Sequence, residues 1–547
     1  MKTPLLPLRK FYLLSGAILL SACGGTQLVQ TPMEQIDQVP LKVAELSETE
    51  KQRWNKADLI TDTIPGMSVD RAYAELLGKL KSQTVVVAVI DTGIDLEHED
   101  LDGVLWTNRG ERPGNGKDDD NNGYVDDVHG YNFLGESHHE QMEAARILRL
   151  KLGDASLQAR ARQRLDADRA ETQSNKQRYE QILQAVENAD KAVKAHLKKD
   201  TYTKSDVMGI KTTDQTLAQH VSVLRQMYSF EDTIDAVMEQ LRDGITYFTG
   251  RLNYHFNVDF NGREAVGDNP YDFSDRAYGN GDPSPKEASE DHGTHVAGII
   301  AAERNNGKGA QGVADDVEIM ALRAIPDGDE YDKDIALAIR YAVDNGASII
   351  NASFGKPFSP NSDWVKEALT YAAENDVLFV QGAGNDALDL DKPENLHFPH
   401  DQVGTGPEYV NNVLTVGSLD SDYGSEVVSS FSNYGGVTVD IYAPGGDIYS
   451  TVPYSKYEYL GGTSMASPGV AGIAAVLRSR YPSFSASEIK QIIMDSGLTL
   501  KTPVVLGEGG SVTRPFAEAS KSGKIANLYN ALILAEKVSQ GVESLSK

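Results

Sequence analysis

Val85-Val86-Val87-Ala88-Val89-Ile90-Asp91-Thr92-Gly93-Ile94-Asp95 decides the fold of this chain. Six consecutive apolar residues, four of the first five β-branched, make a strand with no polar face. Such a strand is stable only where both faces are covered, as in a parallel sheet packed between helices. The run stops at Asp91 and turns at Thr92-Gly93. A carboxylate at a strand's carboxyl end stands on the edge where open α/β sheets bind ligands.

Outward from this strand the same architecture repeats. Val69 to Lys81 has helical spacing through Ala72, Leu76, Leu77 and Leu80. Beyond His292 strands are expected at Val317–Leu322, Ser348–Ala352, Val377–Val380, Val413–Val416 and Val439–Ala443. Helices are expected at Lys333–Asn345, Trp364–Glu374, Thr463–Arg480 and Ser487–Asp495. Alternation of this kind predicts an α/β fold with a mostly parallel sheet flanked by helices.

Residues 137–250 interrupt the alternation. Tyr179, Ile182, Val186, Ala189, Val193 and Leu197 step by threes and fours, and Leu217, Val221, Leu224, Tyr228, Ile234, Val237 and Leu241 repeat the stripe. This predicts an inserted α-helical hairpin, broken at Ser205–Gly209, with Thr212 and Gln215 as a capping box. The expected domains are therefore 66–136 with 251–547, and the 137–250 insertion.

Two further motifs complete a chemistry with Asp91. His292-Gly293-Thr294-His295-Val296-Ala297-Gly298 opens a helix of small residues. Gly461-Gly462-Thr463-Ser464-Met465-Ala466-Ser467-Pro468 places a serine where a loop becomes a helix. A helix N-terminus offers unpaired N–H groups to a developing negative charge. Asp, His and Ser in this chain order mark one of the known triad arrangements. The Gly-x-Ser-x-Gly elbow of esterases is absent at Ser464, and competent residues at every position speak against an idle binding module that uses the insertion as its surface.

These three motifs resemble those of the subtilisin family of serine proteases, over about 66–136 and 265–535. The resemblance implies a subtilisin-like sheet and a serine endopeptidase in which Ser464 is the nucleophile, His292 rather than His295 the base, and Asp91 its orienter. It implies an oxyanion donor at Asn385, within Gly382-Ala383-Gly384-Asn385. It also implies a peptide-binding edge at Ser353, Phe354 and Gly355, which with Gly382, Ala383 and Gly384 walls a roomy, mostly apolar pocket for the residue before the cleaved bond. The partner so implied is a protein or peptide substrate. Against the family pattern, too little sequence precedes Val85 for a separate propeptide domain.

Asp118-Asp119-Asp120-Asn121-Asn122-Gly123-Tyr124-Val125-Asp126-Asp127 reproduces the first half of an EF-hand loop. Asp118, Asp120, Asn122 and the Tyr124 carbonyl would bind calcium, with Asp126 or Asp127 replacing the missing final Glu. Asn306, in Asn305-Asn306-Gly307-Lys308-Gly309, resembles a calcium ligand of the family. Structural calcium is the expected cofactor, with no organic one.

The N-terminus reads as a processing signal over 1–22: Lys2, Arg9 and Lys10, then an apolar stretch from Phe11 to Leu20, then Leu20-Ser21-Ala22-Cys23. It looks like a bacterial lipoprotein signal, with Cys23 lipidated and 23–65 a tether. The expected location is the cell envelope outside the cytoplasm, on the outer membrane of a Gram-negative host. Cys23 is the sole cysteine, so no disulfide forms within the chain. A net charge of -28 speaks against nucleic acid as a partner. The insertion is the expected place for a protein partner.

Overall fold

The first strand, β1, spans Val85–Asp91, and it lies in the interior of the sheet. A computed structural model describes Thr31 and residues 44–546; the signal segment, Cys23 and part of the expected tether lie outside the described residues. The other strands of the sheet are β2 (Gly130–Asn132), β3 (Val317–Arg323), β4 (Ile349–Ala352), β5 (Leu378–Gly382), β6 (Val413–Leu419) and β7 (Ile441–Pro444). Their order is β2-β3-β1-β4-β5-β6-β7, and every pairing is parallel. The side chains of β1 divide by parity: Val85, Val87 and Val89 enter one core and Ala88 and Ile90 the other. The unbroken apolar run thus serves two interiors at once, as a covered parallel strand must.

The first core lies under α2 (Val69–Glu75) and the helices at His292–Ala301, Thr463–Arg480, Ala486–Ser496 and Leu528–Ser539; a short α1 (Glu48–Lys51) precedes it. The tether boundary expected at residue 65 falls inside packed structure. Trp54, Ile64 and Met67 belong to this core, the Trp54 indole N–H donates to the Asp447 carbonyl at 3.2 Å, and Thr31 is buried against Asn530.

The insertion contains α3 (Glu143–Leu150), α4 (Ala155–Leu197), α5 (Lys204–Gly209), α6 (Gln215–Met227) and α7 (Ile234–Gly250), continued by a π-turn at Arg251–His255. Helix α4 has 43 residues, so it is about 65 Å long at 1.5 Å per residue. The stripe read from the sequence packs α4 against α6 and α7 in a core of its own, with Val186, Ala189, Val193, Val221, Leu224 and Ile234 at its centre. Two local expectations change. Ser205–Gly209 is helical rather than a break, because Thr203 and Asp206 form a capping box there. The cap before α6 is Asp214, which accepts from the Thr216 and Leu217 N–H groups, and Thr212 supports Asp214 instead.

The insertion is joined to the catalytic fold by buried ion pairs. Arg146 on α3 meets Glu143 at 2.6 Å and donates to the carbonyls of Asp329 and Glu330. Lys356 contacts Glu143 at 2.8 Å and Asp332 at 2.9 Å.

The remaining helices are α8 (His292–Ala301), α9 (Asp332–Asp344), α10 (Ser362–Glu374), α11 (Thr463–Arg480), α12 (Ala486–Ser496) and α13 (Leu528–Ser539). A hairpin of β8 (Ile448–Val452) and β9 (Lys456–Leu460), not foreseen in the sequence, lies against α8. Among the described residues no helix is long and apolar enough to cross a membrane.

Candidate active site

Asp91 ends β1 and His292 begins α8, and the two meet because residue 293 is glycine. A Cβ there would lie 2.2 Å from the Gly93 carbonyl oxygen and 3.1 Å from the Asp91 Cβ. His292 Nδ1 donates to Asp91 Oδ1 at 2.7 Å, and the Thr92 N–H donates to the same oxygen at 2.8 Å. With Nδ1 so engaged, the imidazole presents Nε2 as its basic nitrogen. Burial opposes charging His292, but the Asp91 carboxylate beside it and Asp291 override this and raise its pKa above the ordinary imidazole value.

His295 lies one helical turn on and does a different job. Its Nε2 stands 3.0 Å from the Ile448 carbonyl and 3.2 Å from that of Glu458, fixing the hairpin to α8. Burial pushes its pKa down to about 3, so it stays neutral.

Ser464 is the second residue of α11, where helix N–H groups have no partner within the helix. Its hydroxyl donates to the Ser353 carbonyl at 3.1 Å, and no hydrogen bond joins it to His292. Contact with the base therefore requires the hydroxyl to leave that carbonyl; such bonds commonly form only with substrate present. Asn385 is oriented by Thr463, whose N–H and Oγ donate to Asn385 Oδ1 at 2.9 and 3.0 Å. The Asn385 NH₂ is left to act as donor. A Cβ on Gly462 would lie 3.4 Å from Asn385 Nδ2 and 3.5 Å from the Ser464 nitrogen, so glycine there keeps the space beside both donors open.

The segments expected to bind peptide also converge. The Ser353 side chain turns inward: its Oγ donates to the Ser464 carbonyl at 2.8 Å and meets Ser467 Oγ at 2.9 Å. Ser353, Phe354 and Gly355 all line the cleft. Gly382 and Ala383 are buried behind the site, and the Gly384 N–H donates to Thr463 Oγ at 3.1 Å. The expectation of a roomy, apolar pocket is corrected by His397. A Cβ on Gly355 would stand 2.2 Å from its Cε1, and one on Gly384 2.9 Å from the same atom. The imidazole lies against both walls, its Nε2 buried without a partner and its pKa lowered by burial.

His292 lies on the wall of a cavity of about 930 Å³. Thr92, His292, Phe354 and Gly355 line it, and so do Thr246, Gly250 and Tyr254 from the end of the insertion. The insertion is therefore part of the cleft rather than a remote appendage. His138, His139, His255 and Asp327 also face this cavity. Sequence reading passed over them, although the His138-His139 pair at the insertion boundary was a visible signal.

The acidic loop is rearranged from expectation. Asp118 and Asp120 converge with Glu111, which the sequence reading missed. Asp126 turns away to accept from the Asn115 and Gly116 N–H groups at 3.1 and 2.8 Å. Asn122 donates to Asp127, which burial holds up at about 6, and its own oxygen accepts from the Tyr124 N–H. The Tyr124 ring packs edge-on to Tyr131 and Tyr341. Asn306 donates to the buried Asp100 at 2.5 Å, and its oxygen accepts from the Lys308 N–H.

Comparison with known proteins identifies the family. A family model described as the subtilase family, peptidase S8, matches residues 82–517. The chain is 40% identical over 211 residues to a thermophilic serine proteinase of Bacillus sp. (strain AK1), covering 38% of this chain and 46% of that protein. It is 35% identical over 219 residues to subtilisin DY of Bacillus licheniformis, covering 40% of this chain and 74% of that one. A solved structure of the epidermin leader peptide processing serine protease from Staphylococcus aureus matches at 24% identity and a TM-score of 0.38, over 47% of this chain and 66% of the other. The chain thus spans about half the length of the first of these relatives and three quarters of the second. The parallel sheet, the meeting of Asp91 and His292 and the family match lead to one conclusion: the chain belongs to the subtilase family of serine peptidases.

Proposed function

We propose that this protein is a serine endopeptidase that cleaves peptide bonds through an acyl-enzyme. The observation that carries the reading is the 2.7 Å bond from His292 Nδ1 to Asp91, which leaves Nε2 to take the proton of Ser464. The Ser464 oxygen attacks the scissile carbonyl and His292 accepts its proton, with Asp91 stabilising the imidazolium. Asn385 Nδ2 and the Ser464 N–H receive the oxyanion. The tetrahedral adduct then expels the amine, which takes its proton from His292, and water attacks the resulting ester by the same route. Backbone at 353–355 would pair with the extended substrate as an added strand.

His397 makes the pocket for the residue before the cleaved bond short. Small residues fit it, as do residues whose polar end meets the free Nε2. Asp118, Asp120 and Glu111 would hold calcium, since their hard oxygens suit that ion and would be mutually repulsive without it. Lipidation at Cys23 would fix the enzyme to the envelope, with the insertion presented to a protein partner.

An active-site fluorophosphonate tests the reading. It labels the wild-type protein and not Ser464→Ala, and both have the same circular dichroism. Equal labelling of the two folded proteins refutes it.

A further inference from the structure

The cleft holds a second set of reactive side chains that peptide hydrolysis does not use. Of the chain's 11 histidines, three share the cavity with His292. His138, His139 and Asp327 each offer a ligand atom, all within 4.8 Å of one another. His255 stands behind them, its Nε2 3.0 Å from Asp327 Oδ1.

One hydrogen bond of this group prepares it for a metal. His138 Nδ1 meets Glu290 at 2.8 Å, which turns its Nε2 lone pair outward, the arrangement that supports histidines bound to zinc. His139 Nδ1 meets Asp327 at 2.6 Å, and an ion held by both would take the place of that hydrogen bond. The backbone keeps the two segments in register: the Asp327 N–H donates to the His138 carbonyl at 2.9 Å and the Glu140 N–H to that of Asp327 at 2.8 Å. The charges are unequal. Glu290 is already answered by Arg323 at 2.5 Å. Asp327 pairs only with His139 and His255 among the described residues, with no lysine or arginine at ion-pair distance.

We propose that His138, His139 and Asp327, backed by His255, bind a divalent transition-metal ion of the zinc class in the substrate cleft. Imidazole and carboxylate together select such ions over calcium or magnesium. The site straddles the root of the insertion, since His138 and His139 stand at its start and His255 just past its end. Occupancy would clamp the two ends of the insertion together and narrow the cleft opposite His292.

The test uses full-length Ser464→Ala protein, so it does not depend on peptidase activity. After chelator treatment, zinc chloride is titrated by calorimetry. One equivalent binds, and zinc raises the melting temperature. His139→Ala and Asp327→Asn each weaken binding at least about 10-fold, and His292→Ala leaves it unchanged. His138→Gln replaces His139→Ala if circular dichroism shows that the latter does not fold. Cobalt gives a visible absorption band in the parent that the His139 variant lacks. The proposal is overturned if zinc does not saturate a site, if these substitutions leave affinity unchanged, or if His292→Ala abolishes binding.

Discussion

Replacing His397 by glycine would change which residue this enzyme accepts before the scissile bond. The ring blocks that pocket, because the Cβ positions of both wall glycines fall within 2.9 Å of its Cε1. Removing it costs no hydrogen bond at Nε2, which is buried and unpartnered. The backbone beside it is held independently, through reciprocal bonds between Lys356 and Phe398 at 3.1 and 2.9 Å. A leucine or phenylalanine side chain then gains full burial, about 1.5–3 kcal/mol. At 1.36 kcal/mol per decade, this is about 10- to 150-fold in kcat/KM over an alanine substrate. The assay compares two peptides that differ only at this residue, alanine or phenylalanine, in wild type and His397→Gly. The reasoning fails if a folded variant changes the phenylalanine-to-alanine ratio by less than about threefold, or if the wild type already favours phenylalanine by the full margin.

Because His292 must be neutral to accept the serine proton and its pKa is raised, kcat/KM rises with pH on a limb centred above 6.5. Asp91→Asn removes the cause of that rise, so a pH profile would show the limb moving to lower pH and turnover falling by about 10⁴-fold. Asn385→Ala lowers kcat by about 100- to 1,000-fold with little change in KM, the size known for this donor in subtilisin. Lys356→Met strips Glu143 and Asp332 of a buried cation and costs about 3–5 kcal/mol, measured by denaturant unfolding. Leu224→Ala costs about 2–5 kcal/mol in the separate core of the insertion, seen as faster hydrogen exchange in α4, α6 and α7.

The buried strand β1 and the three motifs that mark the family were legible because each is written in consecutive residues. Val85–Ile90 declares burial on both faces, and Gly462-Thr463-Ser464 declares a loop entering a helix. The helical insertion was legible for the same reason, as its apolar stripe is local. What the sequence hid depends on residues far apart in the chain. His397 lies over 30 residues from the Ser353–Gly355 wall, and no local pattern says that its ring fills the gap. Asp126 matched a metal-loop position, yet its carboxylate caps backbone N–H groups 10 and 11 residues earlier. Arg146 and Arg323 are fully buried charges whose partners come from other segments, so hydropathy alone assigns them to the surface.

The closure of the insertion at its root has a kinetic consequence. The Met142 N–H donates to the His255 carbonyl at 2.9 Å, so the chain between them leaves and returns at one point. Asp91 and His292 are 201 residues apart in sequence, a separation that ordinarily slows the search for a native contact. The helices of the insertion form from local contacts and shorten that search, because once they pack they bring the chain's two ends together. During vectorial synthesis the arm can be complete while the second half of the sheet is still being made, and Ser464 arrives last. Ser464 and α11 therefore join a sheet whose seven strands have all been made before them.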